Sequence, residues 1–204
     1  MTMTKLQTIV LRFLSVNCYI VSDETTKRAL IVDPGSSPEL IQKEIDKANV
    51  KPEGILLTHA HVDHISAVPE IAAAYNIPVW LHKDDIQLYF AKENELQPWM
   101  SAVPDLPQPV EECPTAGLEF RIIHTPGHSK GSCCFYFPRD RFILTGDTLF
   151  NGTYGRTDFP GGSYHEIMDS IKNKLLKLPE DVIVHPGHDQ ETTIGEELEN
   201  PMFA

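Results

Sequence analysis

The order of hydrophobic and polar residues predicts a group of strands first, followed by alternating helices and strands. Short apolar or alternating runs bounded by polar turns are typical of β-strands, and three of them precede the turn that begins at Asp33. Because the intervening turns are short, we expect these strands to be neighbours in a meander. The three predicted strands are Leu6–Phe13, Asn17–Val21 and Arg28–Val32.

Apolar residues at helical spacing begin after this meander. A helix is predicted to start at Ser37 and Pro38, because proline is favoured in a first turn, and a second helix covers Ile65–Tyr75. A third follows a capping box at Ser163–Glu166. The alternation predicts an α/β fold. The accompanying strands are predicted at Gly54–Leu57, Ile77–Leu81, Leu118–Ile123, Cys133–Phe137, Arg141–Leu144 and Asp181–Val184.

The segment Ala91–Gly117 contains five prolines, so neither a helix nor a central strand can cover much of it. We predict a long surface loop within a single domain that covers residues 1–204. Trp99 and Met100 could cover a substrate, but the favoured prediction is that they pack this loop against the core.

Composition narrows the range of partners. The chain has 204 residues, 41% of them hydrophobic, and its 29 acidic and 17 basic residues give a formal net charge of -12. Such a charge repels a nucleic-acid backbone, and no Lys/Arg cluster offsets it, so we expect a small-molecule partner. The polar segment Met1–Gln7 does not resemble a signal peptide, and no run approaches the ~20 apolar residues of a membrane span. We therefore expect a cytoplasmic protein with no membrane partner, and the oligomeric state stays open.

The four cysteines lack the spacing of a metal site. Cys133 and Cys134 are adjacent on a predicted strand and would point to opposite faces, and no C-x-x-C motif occurs. Together with Cys18 and Cys113, they are predicted to be buried thiols.

The densest group of candidate metal ligands lies in the segment Thr58–Ile65, which reads THAHVDHI and directly follows an apolar strand. Donors so crowded are costly to leave unpaired, and a divalent metal is the simplest partner for them. The four donors are His59, His61, Asp63 and His64.

Three further donors follow predicted strands in the same way: His128, Asp147 and His188. Each of them alone would more often be a turn residue. Strands that end at the same edge of a sheet bring such residues together, although they are far apart in sequence. The seven donors therefore form one candidate metal site.

The motifs T-H-A-H-V-D-H, T-P-G-H-S, T-G-D-T-L-F and P-G-H, in this order, resemble those of the metallo-β-lactamase superfamily over about residues 33–203. The resemblance implies a four-layer αββα sandwich with two divalent metal ions at one edge of the two sheets. Imidazole and carboxylate donors suit zinc, and the same set allows iron or manganese. The implied ligands are His59, His61 and His128 for one metal and Asp63, His64 and His188 for the other, with Asp147 bridging them.

Residues around these ligands have more than one interpretation. Asp33 is either a partner that orients a ligand histidine or a turn residue at the end of a strand. Tyr154 and Arg156 are candidates for contact with a substrate carboxylate, and a structural role for Arg156 is equally compatible with the sequence. Lys130 is predicted to be solvated. The other histidines have no second ligand nearby and are predicted to be ordinary residues: His82, His124, His165 and His185.

Within the superfamily, Gly155–Gly162 and Thr192–Glu196 resemble segments of the short glyoxalase II-like hydrolases, which cleave acyl-glutathione thioesters. The resemblance implies a thioesterase that converts S-(2-hydroxyacyl)glutathione to glutathione and a 2-hydroxy acid. A hydroxide bridging the two metals would attack the carbonyl, with Asp63 orienting it. We expect this protein to depart from full-length glyoxalase II by lacking the helical C-terminal domain that supplies basic contacts to glutathione there, which leaves the thiol carrier open.

The main alternative is an enzyme of another class. Persulfide dioxygenases of the same superfamily share the Gly-Arg-Thr-Asp-Phe segment and hold one ferrous iron, here matching His59, His128 and Asp147. A cysteine tends to precede that segment in those enzymes, whereas this chain has Tyr154 there. A non-enzymatic metal-binding module is a third hypothesis, which is disfavoured because such proteins usually lose ligands and none is missing here.

Overall fold

Two mixed β-sheets form the centre of the molecule, in a computed structural model that describes residues 3–203. The first sheet contains, in spatial order, β1 (Thr4–Val10), β2 (Asn17–Asp23), β3 (Arg28–Val32), β4 (Lys51–Leu56) and β5 (Val79–Trp80). The second contains β12 (Thr192–Thr193), β11 (Ile183–Pro186), β8 (Phe142–Gly146), β7 (Cys133–Phe137) and β6 (Arg121–His124). A separate ribbon is formed by β9 (Leu149–Phe150) and β10 (Thr153–Tyr154).

Strand direction brings several carboxyl ends to one edge. In the first sheet, β1, β2 and β3 form the predicted antiparallel meander, and β3, β4 and β5 are parallel. In the second sheet, β6 and β8 flank β7 in antiparallel pairs, so they run the same way, and β11 is parallel to β8. Loops that follow β4 in one sheet and β6, β8 and β11 in the other can therefore meet.

Helices cover the outer faces of both sheets. They are α1 (Pro38–Ala48), α2 (Val62–Ile65), α3 (Val68–Tyr75), α4 (Ile86–Tyr89), α5 (Tyr164–Asn173) and α6 (Ile194–Leu198). Single 3₁₀ turns lie at Lys83–Asp85, Leu175–Lys177 and Pro201–Phe203. The predicted starts of α1 at Pro38 and of α5 after Ser163 are confirmed, and the Ser163 side chain accepts a hydrogen bond from the Glu166 N–H.

Three buried apolar clusters separate four layers. Alternate side chains of β3 divide between the first two clusters, with Ile31 facing α1 and α3, and Leu30 facing the second sheet. In β7, Cys133 lies between the sheets, while Cys134 packs in the third cluster, which contains Ile167 of α5. The four-layer αββα sandwich is therefore confirmed, as is the prediction that the two adjacent cysteines face opposite ways.

Some element boundaries differ from the prediction. The first strand ends at Val10 and not at Phe13, because the chain turns at Leu14 and Ser15, whose φ angles are 51° and 55°. The predicted helix over Ile65–Tyr75 is divided into α2 and α3. The short helices α4 and α6 were not predicted, since each is too short to show a clear apolar period.

The segment Ala91–Gly117 contains no helix or strand, as predicted, and only an isolated bridge joins Leu96 to Met100. The predicted packing role is wrong for Trp99, whose side chain is 71% exposed. Within residues 3–203, no helix has the length and apolar character needed to cross a membrane. The cytoplasmic location and the single domain over 1–204 stay predictions, and residues 1, 2 and 204 lie outside the described range.

Candidate metal centre

The seven predicted donors converge at the shared edge of the two sheets. They lie in the loops after β4, β6, β8 and β11 and on α2, the short helix that follows β4. Within each of two groups, the candidate ligand atoms lie within 4.8 Å of one another. We call His59, His61 and His128 the three-histidine group, and Asp63, His64 and His188 the mixed group.

The three-histidine group is buried. The Nδ1 atom of His61 lies 2.8 Å from Nε2 of His128. The His59 ring packs edge-on against both, with centroid distances of 4.9 Å to His61 and 4.7 Å to His128. Three imidazoles around one small space match the partition that the family resemblance implies.

The mixed group is more open. His64 and His188 place their Nε2 atoms 3.3 Å apart. The Asp63 Oδ2 atom lies 3.5 Å from Nε2 of His188 and 3.9 Å from Nε2 of His64. The His188 side chain keeps 20% of its exposure, whereas His64 is fully buried.

Asp147 lies between the two groups. Its Oδ1 atom is 3.3 Å from Nε2 of His64, and its Oδ2 atom is 3.5 Å from Nε2 of both His128 and His188. One carboxylate thus contacts a histidine of the three-histidine group and two of the mixed group. This position is the one expected of a bridging ligand.

Four of the five histidines use Nδ1 for a contact outside the site, which leaves Nε2 directed inward. A neutral imidazole whose Nδ1–H donates to an oxygen carries its lone pair on Nε2, the atom that a metal binds. The outer contacts are His59 to Thr58 Oγ1 at 3.0 Å, His64 to Asp33 Oδ2 at 3.0 Å, His128 to the Arg156 carbonyl at 2.8 Å and His188 to the Leu14 carbonyl at 3.0 Å.

Asp33 combines the two roles that the sequence left open. It ends β3 in a left-handed conformation, with φ 51°, as a turn residue would. Its carboxylate also accepts hydrogen bonds from the Thr58 N–H at 2.8 Å and the Thr58 hydroxyl at 2.6 Å, in addition to the one from His64. Because the Thr58 hydroxyl donates to Asp33, its oxygen accepts from His59. Asp33 therefore orients one histidine directly and a second through Thr58.

The pKa values of the histidines shift in opposite directions in the two groups. Burial and the nearby His128 lower the pKa of His61 to about 3, and burial also lowers the pKa of His59. Burial opposes charge on His188 too, but hydrogen bonds to Asp147 and Asp63 outweigh it and raise its pKa to about 9. Burial likewise opposes charge on His64, but the carboxylates of Asp147 and Asp63 raise its pKa. Without a metal at neutral pH, the three-histidine group therefore holds neutral His59 and His61, while the histidines of the mixed group hold protons.

The residues fit a pair of divalent cations. Two inward atoms, Nε2 of His59 and Oδ1 of Asp147, are buried and make no hydrogen bond of good geometry among the described residues, although Nε2 of His64 lies 3.3 Å from Oδ1. Buried polar atoms are rarely left unpaired, and a metal would satisfy both. Neutral imidazoles and carboxylates are ligands that zinc, iron and manganese accept, so the donor set does not select one of them.

A cavity of about 580 Å³ opens beside the three-histidine group. His61 and Phe159 contribute to its wall, and their rings pack edge-to-face with centroids 5.6 Å apart. The opposite wall is formed by the chain around Leu88 and Leu96, and Lys130 lies at its border. A small molecule can therefore reach the metal ligands from this side.

The predicted substrate-contact residues have other partners. The Arg156 guanidinium makes two hydrogen bonds of 2.7 Å to Asp158 and lies 3.7 Å above the Phe159 ring. The Tyr154 ring packs near Tyr164 and Phe203. Substrate contact by Arg156 or Tyr154 stays a prediction, and for Arg156 it requires the ion pair to rearrange. Lys130 is exposed as predicted, but it borders the cavity.

A further group of potential ligands consists of His82, Asp84 and His124. The two imidazoles are stacked, with centroids 4.1 Å apart and planes inclined by 15°. Lone pairs in nearly parallel planes do not converge on one ion, and His124 Nε2 lies 2.8 Å from the Lys130 carbonyl, to which it donates. His82 and His124 thus lie beside other potential ligands, and their role as ordinary histidines stays a prediction.

Two buried polar residues beside the site were not predicted from the sequence: Asp85 and Asn94. The Asn94 side chain donates to the Ala60 carbonyl at 2.7 Å and accepts from the Val62 N–H at 3.1 Å. Asp85 accepts from the Ala60 N–H at 2.9 Å. Asp85 lies beyond the end of β5, at the end of a 3₁₀ turn, and Asn94 lies in an irregular segment, so neither residue has a local signal in the sequence.

An αββα sandwich that carries histidines and carboxylates at the common edge of its sheets defines a class of metal-dependent hydrolases. The chain belongs to the Metallo-beta-lactamase superfamily, whose family model matches residues 11–188.

Proteins similar to this chain are named for different activities. "Hydroxyacylglutathione hydrolase GloC" of Haemophilus influenzae is 33% identical over 196 residues, which cover 92% of each chain. The crystal structure of "BLEG-1 B3 metallo-beta-lactamase" has a TM-score of 0.88 and 35% identity, covering 98% of this chain and 100% of that one. "TTHA1623 in a di-iron-bound form" has a TM-score of 0.85 and 37% identity, covering 97% and 100%.

Proposed function

We propose that this chain is a binuclear metal-dependent hydrolase that cleaves a thioester, and that its substrate is S-(2-hydroxyacyl)glutathione. The observation that carries the proposal is the complete donor set, in which Asp147 connects the three-histidine group to the mixed group. The similarity to GloC supports the choice of thioester. The proposed metal is zinc, and the di-iron form of TTHA1623 makes iron the first alternative.

The protein's own residues would bind the metals and orient the nucleophile. Two divalent cations in the two groups would lower the pKa of a water molecule and supply a nucleophile near neutral pH. Burial disfavours the ionised form of Asp63, but the charge on His64 and the hydrogen bond with His188 outweigh it and lower the pKa of Asp63. An ionised Asp63 can accept a hydrogen bond from the attacking water and direct it toward the carbonyl carbon.

The cavity beside His61 is the proposed place for the thiol carrier. Its walls are mainly apolar, and Lys130 is the cation at its border. Because the Arg156 guanidinium already binds Asp158, Lys130 is the residue we propose for contact with a carrier carboxylate. A thiolate is a good leaving group, so the reaction does not require a separate acid to protonate it.

Metal analysis and two activity assays test the proposal together. Protein purified without added metal is analysed for zinc, iron and manganese, and then assayed with S-lactoylglutathione and, under oxygen, with glutathione persulfide. We expect two equivalents of metal and thioester hydrolysis without oxygen uptake. A single iron with oxygen uptake would favour the persulfide dioxygenase, which needs only His59, His128 and Asp147, and would overturn the hydrolase.

A Lys130→Gln variant tests the carrier contact. If Lys130 binds a carboxylate of the carrier, the variant should raise KM for S-lactoylglutathione by about 10-fold, as the loss of one charged hydrogen bond predicts. It should leave KM for an uncharged thioester, such as S-acetyl-N-acetylcysteamine, unchanged. Equal changes for both substrates would contradict the assignment.

A further inference from the structure

One buried carboxylate connects the two loops that carry the three-histidine group. Asp85 ends the 3₁₀ turn between β5 and α4 and is only 1% exposed. Its Oδ2 atom accepts hydrogen bonds from the Ala60 N–H at 2.9 Å and the Ser129 hydroxyl at 2.7 Å. Its Oδ1 atom accepts from the Gly131 N–H at 2.6 Å. One carboxylate thus accepts three hydrogen bonds.

The three hydrogen-bond donors to Asp85 belong to the loops that carry the histidines. Ala60 lies between His59 and His61, and Ser129 directly follows His128. The two loops come from different sheets, after β4 and β6. Asp85 therefore spans the space between the sheets and ties together the two backbone segments that supply all three histidines.

We propose that Asp85 is a positioning residue for the three-histidine group, and that it sets the metal affinity of this group without affecting the mixed group. The inference rests on the proposed function only in that the histidines bind a divalent metal. Asp85 contacts no histidine ring through these hydrogen bonds and acts through the backbone on either side of the rings.

The geometry leaves little tolerance at Asp85. Replacing the carboxylate with an amide would turn one oxygen into an NH₂ group, which would face either the Ala60 N–H or the Gly131 N–H and leave it unpaired. Gly131 packs so closely against Asp85 that a Cβ atom on Gly131 would lie 2.8 Å from the carboxylate carbon, so a longer acid at position 85 would push the loop after β6 away. The loops would therefore separate slightly in either variant.

Other contacts should confine the effect to one group. Asn94 binds both the Ala60 carbonyl and the Val62 N–H, so the loop keeps two restraints when the Asp85 contact is lost. The mixed group is oriented by Asp33 and by the Leu14 carbonyl, neither of which bonds to Asp85. Loss of Asp85 should therefore misalign the three histidines without unfolding the site.

The test measures metal affinity separately in each group. His188→Ala weakens the mixed group, and His61→Ala weakens the three-histidine group, so each background isolates one site. Asp85→Asn is introduced into both backgrounds, and the dissociation constant for Zn²⁺ is measured by competition with a chromophoric chelator. The visible absorption of the Co²⁺-substituted proteins reports ligand geometry. Asp84→Asn, at the neighbouring carboxylate whose side chain is 45% exposed, is the matched control.

In the His188→Ala background, Asp85→Asn should weaken metal binding by about 10-fold to 100-fold and change the Co²⁺ spectrum, as is typical for residues that orient metal ligands. In the His61→Ala background, it should change the dissociation constant by less than about two-fold, within the additivity expected of independent sites. Asp84→Asn should have no effect in either. Equal losses in both backgrounds, or no loss in the first, would overturn the proposal.

A second variant covers the case in which Asp85→Asn fails to fold by circular dichroism. Ser129→Ala removes one of the three hydrogen bonds and should weaken the three-histidine group alone, by a smaller factor; an unchanged affinity there would overturn the inference. Wild-type protein that binds no Zn²⁺ would overturn both the proposed function and this inference. Wild-type binding of two ions with no effect of Asp85 would overturn the inference alone.

Discussion

The two halves of the candidate metal centre are held in different ways. The three-histidine group is enclosed, with His59 fully buried, and its loops are bound by side chains from the segment after β5. The mixed group includes His188, which is 20% exposed and whose Nδ1 donates to a carbonyl in the turn after β1. The first half is thus rigidly prepared for a metal, whereas the second depends on a surface turn.

The two groups should also differ in their affinity for a metal ion. A preorganised site loses less conformational freedom when it binds a ligand, so the three-histidine group should bind its metal first and more tightly. The mixed group must in addition release a proton. Four predictions probe this difference.

The largest effect is expected for Asp147→Ala. Asp147 contacts His128 on one side and His64 and His188 on the other, so its loss should weaken both metals. Partners outside the ligand set already cost about 10-fold to 100-fold, and a shared ligand should cost more than about 100-fold in kcat. Steady-state hydrolysis of S-lactoylglutathione measures the effect. Asp169→Asn, on the exposed face of α5, is the control, and wild-type activity in Asp147→Ala would contradict the bridging role.

A smaller loss is expected for Asp33→Asn, and it should extend to both halves. Asp33 orients His64 directly and His59 through Thr58, in contrast to Asp85, which is tied to only one half. Both zinc dissociation constants should rise, each by about 10-fold. Competition with a chelator measures both dissociation constants. A change in only the constant of the mixed group would show that Thr58 does not transmit the effect of Asp33 to His59.

Gly187→Ala should affect mainly the mixed group. A Cβ atom at this position would collide with Oδ1 of Asp147 and lie 2.8 Å from Cε1 of His64. The weaker zinc site should lose about 10-fold in affinity, since the substitution shifts ligands without removing them. Gly195→Ala on α6, remote from the donors, serves as the control. A loss of affinity confined to the three-histidine group would contradict this expectation.

The smallest effect is a difference in proton release. The pKa of His188 is raised to about 9, so this imidazole is protonated below pH 9 in the metal-free protein and must lose its proton to bind a metal. The pKa of His61 is lowered to about 3, so it is already neutral. The pKa of His64, the other histidine of the mixed group, is raised as well by Asp147 and Asp63, against the opposing effect of burial. At pH 7, a His61→Ala variant should therefore release more protons per zinc than a His188→Ala variant. The difference should shrink as the pH rises through 9, where His188 loses its proton.

Calorimetry in two buffers of different ionisation enthalpy measures this proton release. Equal release by the two variants at pH 7 would show that the halves do not differ in protonation.

The convergence of the seven donors could be predicted because each donor has a local signal. His59 and His61 directly follow an apolar strand, and His128 and His188 each follow a Pro-Gly step, so pattern and position agree. The partition into two groups was implied by the family resemblance and could not be derived from spacing. Asp85 and Asn94 escaped because their partners are 25 to 46 residues away, and such contacts leave no periodic signal.

Fold elements were predictable where burial imposes a period and less so where backbone geometry decides. Strand β3 matches its predicted range, because its residues are buried between a helix layer and the other sheet. The first strand was extended too far, since apolar Leu11 and Phe13 suggest continuation, whereas the positive φ angles of Leu14 and Ser15 show that the chain turns directly after them. Trp99 was expected to pack its loop against the core because it is hydrophobic. It is exposed instead, on a proline-rich loop that contributes no strand or helix to the sandwich.

The loop that carries His188 is anchored by the beginning of the chain. Asn17 of β2 donates from its backbone to the Gly187 carbonyl at 2.8 Å and from its side chain to the carbonyls of Pro186 and Asp189, each at 3.0 Å. These contacts join residues up to 172 positions apart. A growing polypeptide therefore cannot complete the mixed group until its last strands have been synthesised and have docked. Once bound, an ion there would hold the two ends of the fold together and oppose fraying from either side.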